Sequence, residues 1–189
     1  MPEDNNVDRK DFIKKGFFKL FGFIHENFGD SLNLGILSYS PIRPPGAIEE
    51  KSFLDTCLKC GKCVEACPQD SIKLSGFEAK FIAGYPVVNP SDRPCFVCDD
   101  LSCMKACPSG ALQFTEKHDI KMGLAKVNQD KCITYEGKEC SICVLACPFP
   151  DDAIFINDKK NPVVNKSCIG CGLCEYWCDY DAITVSSYR

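Results

Sequence analysis

Four runs of cysteine at a nearly constant period constrain the fold of this chain more than any other feature of its sequence. The runs begin at Cys57, Cys95, Cys132 and Cys168, so that successive runs lie 38, 37 and 36 residues apart. A constant period of this length indicates a repeated supersecondary unit. All 16 cysteines of the chain belong to these runs, which are Cys57, Cys60, Cys63, Cys67; Cys95, Cys98, Cys103, Cys107; Cys132, Cys140, Cys143, Cys147; and Cys168, Cys171, Cys174, Cys178.

The spacing within the runs is typical of iron–sulfur ligation. In the first and last runs, two residues separate each of three cysteines, and a fourth cysteine follows after three more. This is the bacterial ferredoxin pattern for a [4Fe–4S] cluster, in which the fourth cysteine of a run ligates the cluster of another run. We therefore expect all 16 cysteines to be metal ligands of four [4Fe–4S] clusters. Pairing of adjacent runs and nested pairing, first with fourth and second with third, both satisfy this rule.

Three of the runs depart in detail from the common pattern. Four residues separate Cys98 from Cys103 in the second run, and seven separate Cys132 from Cys140 in the third. In the fourth run, Asp179 replaces the proline that follows the last cysteine elsewhere. A three-iron or labile cluster in the third or fourth run is therefore an alternative. Structural zinc uses two separated C-x2-C pairs, and disulfide frameworks need an oxidising compartment, so the pattern favours clusters over both.

The segments between the runs predict an α+β fold of two bacterial-ferredoxin-like modules, each with two clusters. Short β-like stretches precede the last three runs at 86–88, 124–127 and 162–164, and a small residue followed by an aliphatic one comes after every run. Each repeat should therefore contain a strand, a cysteine loop, a short helix and a second strand. We expect four units at 57–90, 91–128, 129–164 and 165–189, within one region of residues 57–189.

The first 56 residues have a different pattern. Apolar side chains between Ile13 and Phe28 recur at helical spacing, which predicts an amphipathic helix. We expect residues 1–40 to form a segment that docks on the body of the protein or on a partner subunit, with contact to a membrane surface as the alternative. Three prolines between Pro41 and Pro45 predict a stiff, extended linker over 41–56.

Charge and hydropathy bear on the partners and the compartment. The net charge is −4, and the cysteine-rich region has no basic face of the kind that nucleic-acid binding requires. No stretch reaches the roughly 18 apolar residues of a membrane span. The segment Asp8–Lys14 resembles a twin-arginine export motif in which Lys10 replaces the second arginine. An uncharged apolar stretch and a cleavage site should follow such a motif, and neither does, so we expect cytoplasmic localisation, with export as the alternative.

The sequence contains no catalytic constellation. His25 and His118 are its two histidines, and it has no zinc-protease motif, phosphate-binding loop or dinucleotide fingerprint. Every cysteine run is complete, which leaves no open iron position for a substrate. The sequence therefore predicts an electron-transfer subunit of an oxidoreductase complex rather than an enzyme. A non-redox assembly protein whose metal sites only hold the fold is the alternative.

Short motifs around the cysteines resemble those of a known family. They are Arg43-Pro44-Pro45-Gly46-Ala47 with Glu50 and Phe53, Cys60-Gly61-Lys62-Cys63, Pro94-Cys95-Phe96-Val97-Cys98-Asp99-Asp100, Cys107-Pro108-Ser109-Gly110-Ala111-Leu112 and Met122-Gly123-Leu124-Ala125. In these motifs, and in the unusual second and third spacings, the chain resembles the NapG/MauM type of four-cluster ferredoxin from about Arg43 to Val185.

The resemblance implies electron transfer by four [4Fe–4S] clusters bound to the 16 cysteines. Proteins of this type serve redox systems such as periplasmic nitrate reduction and methylamine oxidation. The incomplete twin-arginine motif departs from the periplasmic members. Similar four-cluster subunits accompany cytoplasmic tungsten enzymes of the aldehyde oxidoreductase type, so the expected partner is a larger redox subunit that contains tungsten or molybdenum. Clusters near both ends of the protein are also compatible with self-association.

Overall fold

The computed structural model describes residues 41–188, except for the side chain of Lys80. The amphipathic helix predicted for residues 1–40 lies outside this range. The helices are α1 (Glu50–Thr56), α2 (Lys62–Glu65), α3 (Ser102–Lys105), α4 (Ile142–Leu145) and α5 (Leu173–Tyr176), with 3₁₀ helices at Phe77–Ile82, Lys117–Asp119 and Ile133–Glu136. The strands are β1 (Ile72–Leu74), β2 (Pro86–Val88), β3 (Gly123–Val127), β4 (Ile154–Ile156), β5 (Pro162–Val164) and β6 (Ile183–Ser187).

The strands form three antiparallel pairs. Strand β1 pairs with β2, with Ile72 opposite Val88, and β4 pairs with β5 in the equivalent register. Strand β3 pairs with β6, and this pairing joins the first strand of the second half to the last strand of that half. The strands predicted at 86–88 and 162–164 are confirmed, and the one predicted at 124–127 begins one residue earlier. Because two-stranded sheets are marginally stable alone in water, each pair depends on what packs against it.

The two halves of the chain are built alike, and they differ in their outer strand pair. In the second half, β3 and β6 enclose the β4–β5 hairpin in sequence. In the first half the corresponding outer pair is reduced to a single bridge between Ala47 and Leu112. Pro44 and Pro45 have no N–H to donate to a ladder, and Gly46 has a φ of +75°, so a regular strand cannot extend through this stretch. The strand predicted after the second run is therefore absent, and only this bridge occupies its position.

The short helices place the cysteines. Each of α2 to α5 is four residues long, contains the third cysteine of its run and ends two residues before the fourth. Helices α2 and α5 begin after Gly61 and Gly172, which have φ values of +75° and +91°. Glycine adopts this left-handed conformation without the strain that a Cβ causes. The glycines therefore allow the chain to turn sharply from the loop of the first two cysteines into the helix of the third.

Residues 41–56 differ from the predicted linker because they are part of the folded body. Pro41 to Pro45 are buried, and the Ile42 backbone forms a bridge with Val88 of β2. Helix α1 follows, its first turn capped by the Glu49 carboxylate, which accepts hydrogen bonds from the N–H groups of Lys51 and Ser52. The helix buries the ring of Phe53 completely.

Among the described residues, the hydrophobic core consists of two clusters, and the first includes Ile169 and Leu173 from the second half as well as residues of the first. One cluster of buried residues includes Phe53, Ile72, Met104 and Ile120, and the other includes Ile154 and Ile183. Cysteines lie in both clusters. No helix in residues 41–188 has the length and apolar character needed to cross a membrane.

Candidate metal centres

Four cavities in the structure are each surrounded by four cysteines. Their volumes, including the part open to solvent, lie between about 330 and 390 Å³. We call the cysteine sets quartets A to D. They are A (Cys57, Cys60, Cys63, Cys107), B (Cys95, Cys98, Cys103, Cys67), C (Cys132, Cys140, Cys143, Cys178) and D (Cys168, Cys171, Cys174, Cys147). Every cysteine that the sequence predicts as a ligand thus lies in a quartet.

The quartets combine adjacent runs of cysteine. Each contains the first three cysteines of one run and the fourth of its neighbour, so Cys107 joins the first run and Cys67 joins the second. The third and fourth runs exchange Cys147 and Cys178 in the same way. Helices α2 and α3 pack against each other, as do α4 and α5, which brings the exchanged cysteines to the opposite cavity. Of the two pairings that the sequence leaves open, the structure has the adjacent one.

The unusual spacings of the second and third runs do not disturb their quartets. In the third run, the extra residues after Cys132 form the 3₁₀ helix Ile133–Glu136 and a turn at Gly137, whose φ is +82°. This turn returns the chain to Cys140, which lies beside the same cavity as Cys132. In the second run, Leu101 adopts a φ of +46° ahead of α3 and brings Cys103 to the cavity of Cys95.

Backbone N–H groups donate hydrogen bonds to several of the sulfur atoms. In three quartets the donor lies four or five residues after the last cysteine of a run: Ser71 N–H to Cys67 Sγ at 3.3 Å, Leu112 N–H to Cys107 Sγ at 3.4 Å, and Ala182 N–H to Cys178 Sγ at 3.4 Å. Lys59 N–H donates to Cys57 Sγ at 3.5 Å. Donors of this kind stabilise a negatively charged thiolate and tune iron–sulfur potentials. The surroundings therefore suit thiolate ligands of a cluster.

Burial instead disfavours the thiolate form of the free cysteines. It raises the pKa of Cys63 and of Cys171 to about 12, and that of Cys103 and of Cys143 to about 11. Such thiols keep their protons near neutral pH, whereas metal ligation requires the thiolate. Loading of the quartets must therefore release protons and is favoured by higher pH.

Cys107 is an exception among the thiols. Burial acts to raise its pKa, but the Leu112 N–H, the Ser109 hydroxyl and further N–H groups outweigh burial, and its pKa is lowered. Hydrogen bonds therefore stabilise the thiolate of the exchanged cysteine in quartet A despite its burial.

The size of the cavities bears on the kind of metal centre. Zinc bound to thiolates has Zn–S distances near 2.3 Å and needs its ligands to converge on one point. The sulfur atoms of each quartet instead stand around a cavity, and in residues 41–188 no three His, Cys, Asp or Glu side chains converge closely enough for a single ion. Four thiols around a cavity, with N–H donors aimed at sulfur, fit a polynuclear iron–sulfur cluster.

A contact between the two halves joins quartets B and D. The N–H of Cys95 donates a hydrogen bond of 2.9 Å to the carbonyl of Cys171, so that a cysteine of one quartet is hydrogen-bonded directly to a cysteine of the other. Pro90 packs beside Gly172, where a Cβ would lie only 2.5 Å from the proline Cβ. Together with the exchanged cysteines, these contacts link the quartets in the order A, B, D, C.

Comparisons with known proteins identify iron–sulfur domains in two segments of the chain. A model described as a 4Fe-4S dicluster domain matches residues 56–111, the segment that contains all eight cysteines of quartets A and B. A second, described as a 4Fe-4S binding domain, matches residues 168–182, which contain the fourth run. The methylamine utilization ferredoxin-type protein MauM of Methylophilus methylotrophus is 37% identical over 188 residues, which cover 94% of this chain and 82% of that protein.

The chain belongs to the NapG/MauM family of ferredoxin-type proteins. NapG of Escherichia coli is 40% identical to it over 151 residues, and MauM of Paracoccus denitrificans is 41% identical over 148. Each of these matches covers 72% of the chain, and they span 65% and 66% of the two relatives. The family resemblance read from the motifs is confirmed.

Several residues that matter to the sites of this NapG/MauM protein were not recognised from the sequence as functional. Arg43 is fully buried and holds the segment before α1 against β2. The hydroxyls of Ser109 and Thr134 lie beside cysteine sulfur. Each hydroxyl residue follows a cysteine by two positions, a signal that is visible in the sequence but gains meaning only once the cavity is known.

Proposed function

We propose that this protein is an electron-transfer subunit that carries four [4Fe–4S] clusters on its 16 cysteines and passes single electrons between a larger catalytic oxidoreductase subunit and a redox partner. The observation that carries the proposal is the division of all the cysteines into four complete quartets around separate cavities. Membership of the NapG/MauM family supports it. A structural role alone would not require four redox-capable centres in a body this small.

In this proposal the residues of the chain hold and insulate the centres. A bound [4Fe–4S] cluster supplies reversible one-electron exchange, with a potential that depends on hydrogen bonds to sulfur, charge and exposure. The quartet cysteines fix the position of each site, and the backbone N–H groups of Ser71, Leu112 and Ala182 stabilise charge on the ligands. Apolar side chains such as Ile72, Ile154 and Ile183 line the cavities and exclude water.

The proposal assigns no substrate chemistry to the chain itself. Each quartet supplies four thiols, so a cluster bound there has no iron position left for a substrate. His118, the one histidine among residues 41–188, is exposed, and its ring packs at a tilt against that of Phe149, with 4.1 Å between the ring centroids. The catalytic step is accordingly proposed to take place on the partner subunit.

We propose a tungsten- or molybdenum-containing subunit as the partner and the cytoplasm as the compartment. The partner is supported by analogy with the similar four-cluster subunits that accompany cytoplasmic tungsten enzymes. The compartment is supported by the replacement of the second arginine by Lys10 in the export-like segment. The relatives named ferredoxin-type protein NapG favour an exported carrier that feeds a periplasmic reductase as the second candidate. The two candidates differ in where the protein is found and in what metal its partner contains.

The first test is metal analysis of the protein purified anaerobically with a C-terminal tag, together with any chain that copurifies. About 16 irons per chain, with signals that respond to reductant, are expected from four clusters. Tungsten or molybdenum in a copurified larger chain supports the proposed partner, whereas recovery from the periplasm with a nitrate reductase supports the second candidate. Zinc in place of iron, or iron that cannot be reduced or oxidised, would overturn electron transfer in favour of a metal-stabilised assembly protein.

A further inference from the structure

The four quartets differ in the polar groups that reach their sulfur atoms. The contacts between them run in the order A, B, D, C, so A and C are the outer quartets and B and D the inner ones. Cys60 of quartet A is the one cysteine of the 16 that is exposed. Cys171 and Cys174 of quartet D are both buried. The sites along this order therefore differ in how far their cysteines are exposed to solvent.

A side-chain hydroxyl contacts sulfur in each outer quartet. In quartet A, Ser109 Oγ lies 3.6 Å from Cys107 Sγ and also accepts a hydrogen bond from Ala111 N–H. In quartet C, Thr134 Oγ1 lies 3.2 Å from Cys132 Sγ, and Thr134 is buried. A thiolate that ligates metal has no proton, so the hydroxyl must be the donor in both contacts.

The inner quartets have no equivalent contact among residues 41–188. Two serines line the cavity of quartet B, but Ser71 Oγ donates to the carbonyl of Pro94 at 2.6 Å and Ser102 Oγ donates to the carboxylate of Asp100. The cavity of quartet D is lined, among the described residues, without serine, threonine, tyrosine or any charged side chain. The rest of its lining consists of apolar side chains, Pro148 and glycines, and the Tyr188 hydroxyl nearby donates to the Cys168 carbonyl at 3.0 Å rather than to sulfur.

These differences affect the reduction potential of a cluster held by four thiolates. Reduction adds a negative charge, so donors to sulfur favour the reduced state, and an apolar, water-excluded site disfavours it. Quartet A gains further from Lys59, which lines its cavity and whose N–H donates a hydrogen bond of 3.5 Å to Cys57 Sγ. Quartet C has Asp179 at its cavity, and the charge of that carboxylate opposes the effect of Thr134. The expected difference in reduction potential is therefore clearest between quartets A and D.

We infer that Ser109 and Thr134 are tuning residues, which raise the reduction potentials of the clusters in quartets A and C, so that A has the highest potential of the four and D the lowest. The inference rests on the proposed function. In each site one electron is taken from the reductant and none of the protein's covalent bonds is made or broken. Quartet A, at one end of the order, would then hold an electron more readily than quartet D in its middle.

The test is an anaerobic redox titration of the iron-loaded protein with dithionite as the reductant, followed by electron paramagnetic resonance. Ser109→Ala and Thr134→Val are compared with Ser102→Ala, which removes a cavity-lining hydroxyl that does not contact sulfur. Substitution of Cys60, Cys140, Cys98 or Cys171 by Ser identifies which signal belongs to which quartet. Thr134→Ser, which keeps the hydroxyl, controls for packing changes at the buried threonine.

We expect Ser109→Ala to shift the midpoint potential of the quartet A signal to a more negative value and to leave the other three in place. Thr134→Val should do the same to quartet C, Thr134→Ser should restore most of the potential, and Ser102→Ala should leave the potentials of quartets A and C unchanged. Unchanged potentials in both variants with full iron content, or a quartet D potential above that of quartet A, would overturn the inference and leave the proposed function standing. Absence of redox-active iron from the unmodified protein would overturn both.

Discussion

At the scale of single residues, Arg43 shows how a buried charge stabilises the segment before the first cysteine run. Its guanidinium is fully buried, pairs with the Glu50 carboxylate at 2.6 Å and donates to the Pro86 carbonyl at 3.1 Å. It also lies over the rings of Phe53 and Tyr85, at 4.9 and 5.5 Å from their centroids. One side chain thus connects the segment before α1, helix α1 and strand β2, which are the parts of the first half that lack a regular outer strand pair.

We predict that Arg43→Met destabilises the protein by about 3–5 kcal/mol, because removing one partner leaves the other without its ion pair and hydrogen bonds. The shift of the urea midpoint of the iron-loaded protein, followed anaerobically by circular dichroism, measures the effect. Lys138→Met is the matched control, since Lys138 and its partner Glu136 are both exposed and such pairs contribute about 0–1 kcal/mol. Equal shifts in the two variants would contradict the role given to Arg43.

The sequence predicted which residues form the sites but not which of these contacts support them. Cysteine spacing reflects local loop geometry, so it points to the ligands directly. The partners of Arg43 lie 7 and 43 residues away, and the sequence contains no pattern that joins positions so far apart. Its motif was recognised as a family feature, whereas its physical role became apparent only from burial and hydrogen bonds.

At the scale of elements, the exchange of cysteines between runs follows from the short helices. Helix α2 contains Cys63 and ends at Glu65, and the next turn places Cys67 at the cavity of the second run. Helix α3 does the same for Cys107 at the cavity of the first run. Spacing alone could not distinguish adjacent from nested pairing, because both satisfy the local geometry. The packing of α2 on α3 is a tertiary contact, and it decides between them.

The exchange predicts that cysteines of different runs share one centre. Cys57→Ser and Cys107→Ser should alter the same paramagnetic signal, although the two positions are 50 apart in the sequence, and the double variant should lose no more than that one centre. Cys67→Ser should instead alter the signal that Cys95→Ser alters. Iron content and electron paramagnetic resonance of the four single variants and the double variant measure this. If Cys107→Ser affected the same signal as Cys95→Ser, the adjacent exchange would be wrong.

At the scale of the whole molecule, the two halves meet where the ligand loops of quartets B and D touch. Gly61 and Gly172 occupy the same place in their runs, directly after the second cysteine and before a helix, and both have positive φ. A Cβ on Gly61 would meet nothing within 4 Å, whereas a Cβ on Gly172 would lie 2.5 Å from the Cβ of Pro90 in the first half. Substituting each glycine by alanine therefore distinguishes two losses of stability. One comes from backbone strain alone, and the other comes from disturbing the contact between the two halves.

We predict that Gly61→Ala costs about 1–2 kcal/mol, the strain of a left-handed alanine, and that Gly172→Ala costs about 1–3 kcal/mol more because of overpacking against Pro90. Urea midpoints of the iron-loaded variants measure both. Gly172→Ala should also weaken the magnetic coupling between the clusters of quartets B and D, since the Cys95–Cys171 hydrogen bond lies beside the clash. Identical midpoints and unchanged coupling in the two variants would show that this contact does not hold the halves together.

We expect the whole fold to depend on its metal. Each sheet has two strands, the helices beside the sites are four residues long, and both core clusters contain cysteines that surround cavities. Neither the sheets nor the short helices are stable alone, because isolated two-stranded sheets and helices shorter than about 12 residues are marginal in water.

We therefore predict that removal of iron with a chelator and an oxidant abolishes most of the ordered circular dichroism signal, whereas the chelator alone leaves it intact. Reloading iron and sulfide should restore the signal, more readily at pH 8 than at pH 6.5, because ligation requires the thiolate and loading must displace the protons of the cysteine thiols. A metal-free protein that kept its ordered structure would contradict the view that the clusters form part of the core.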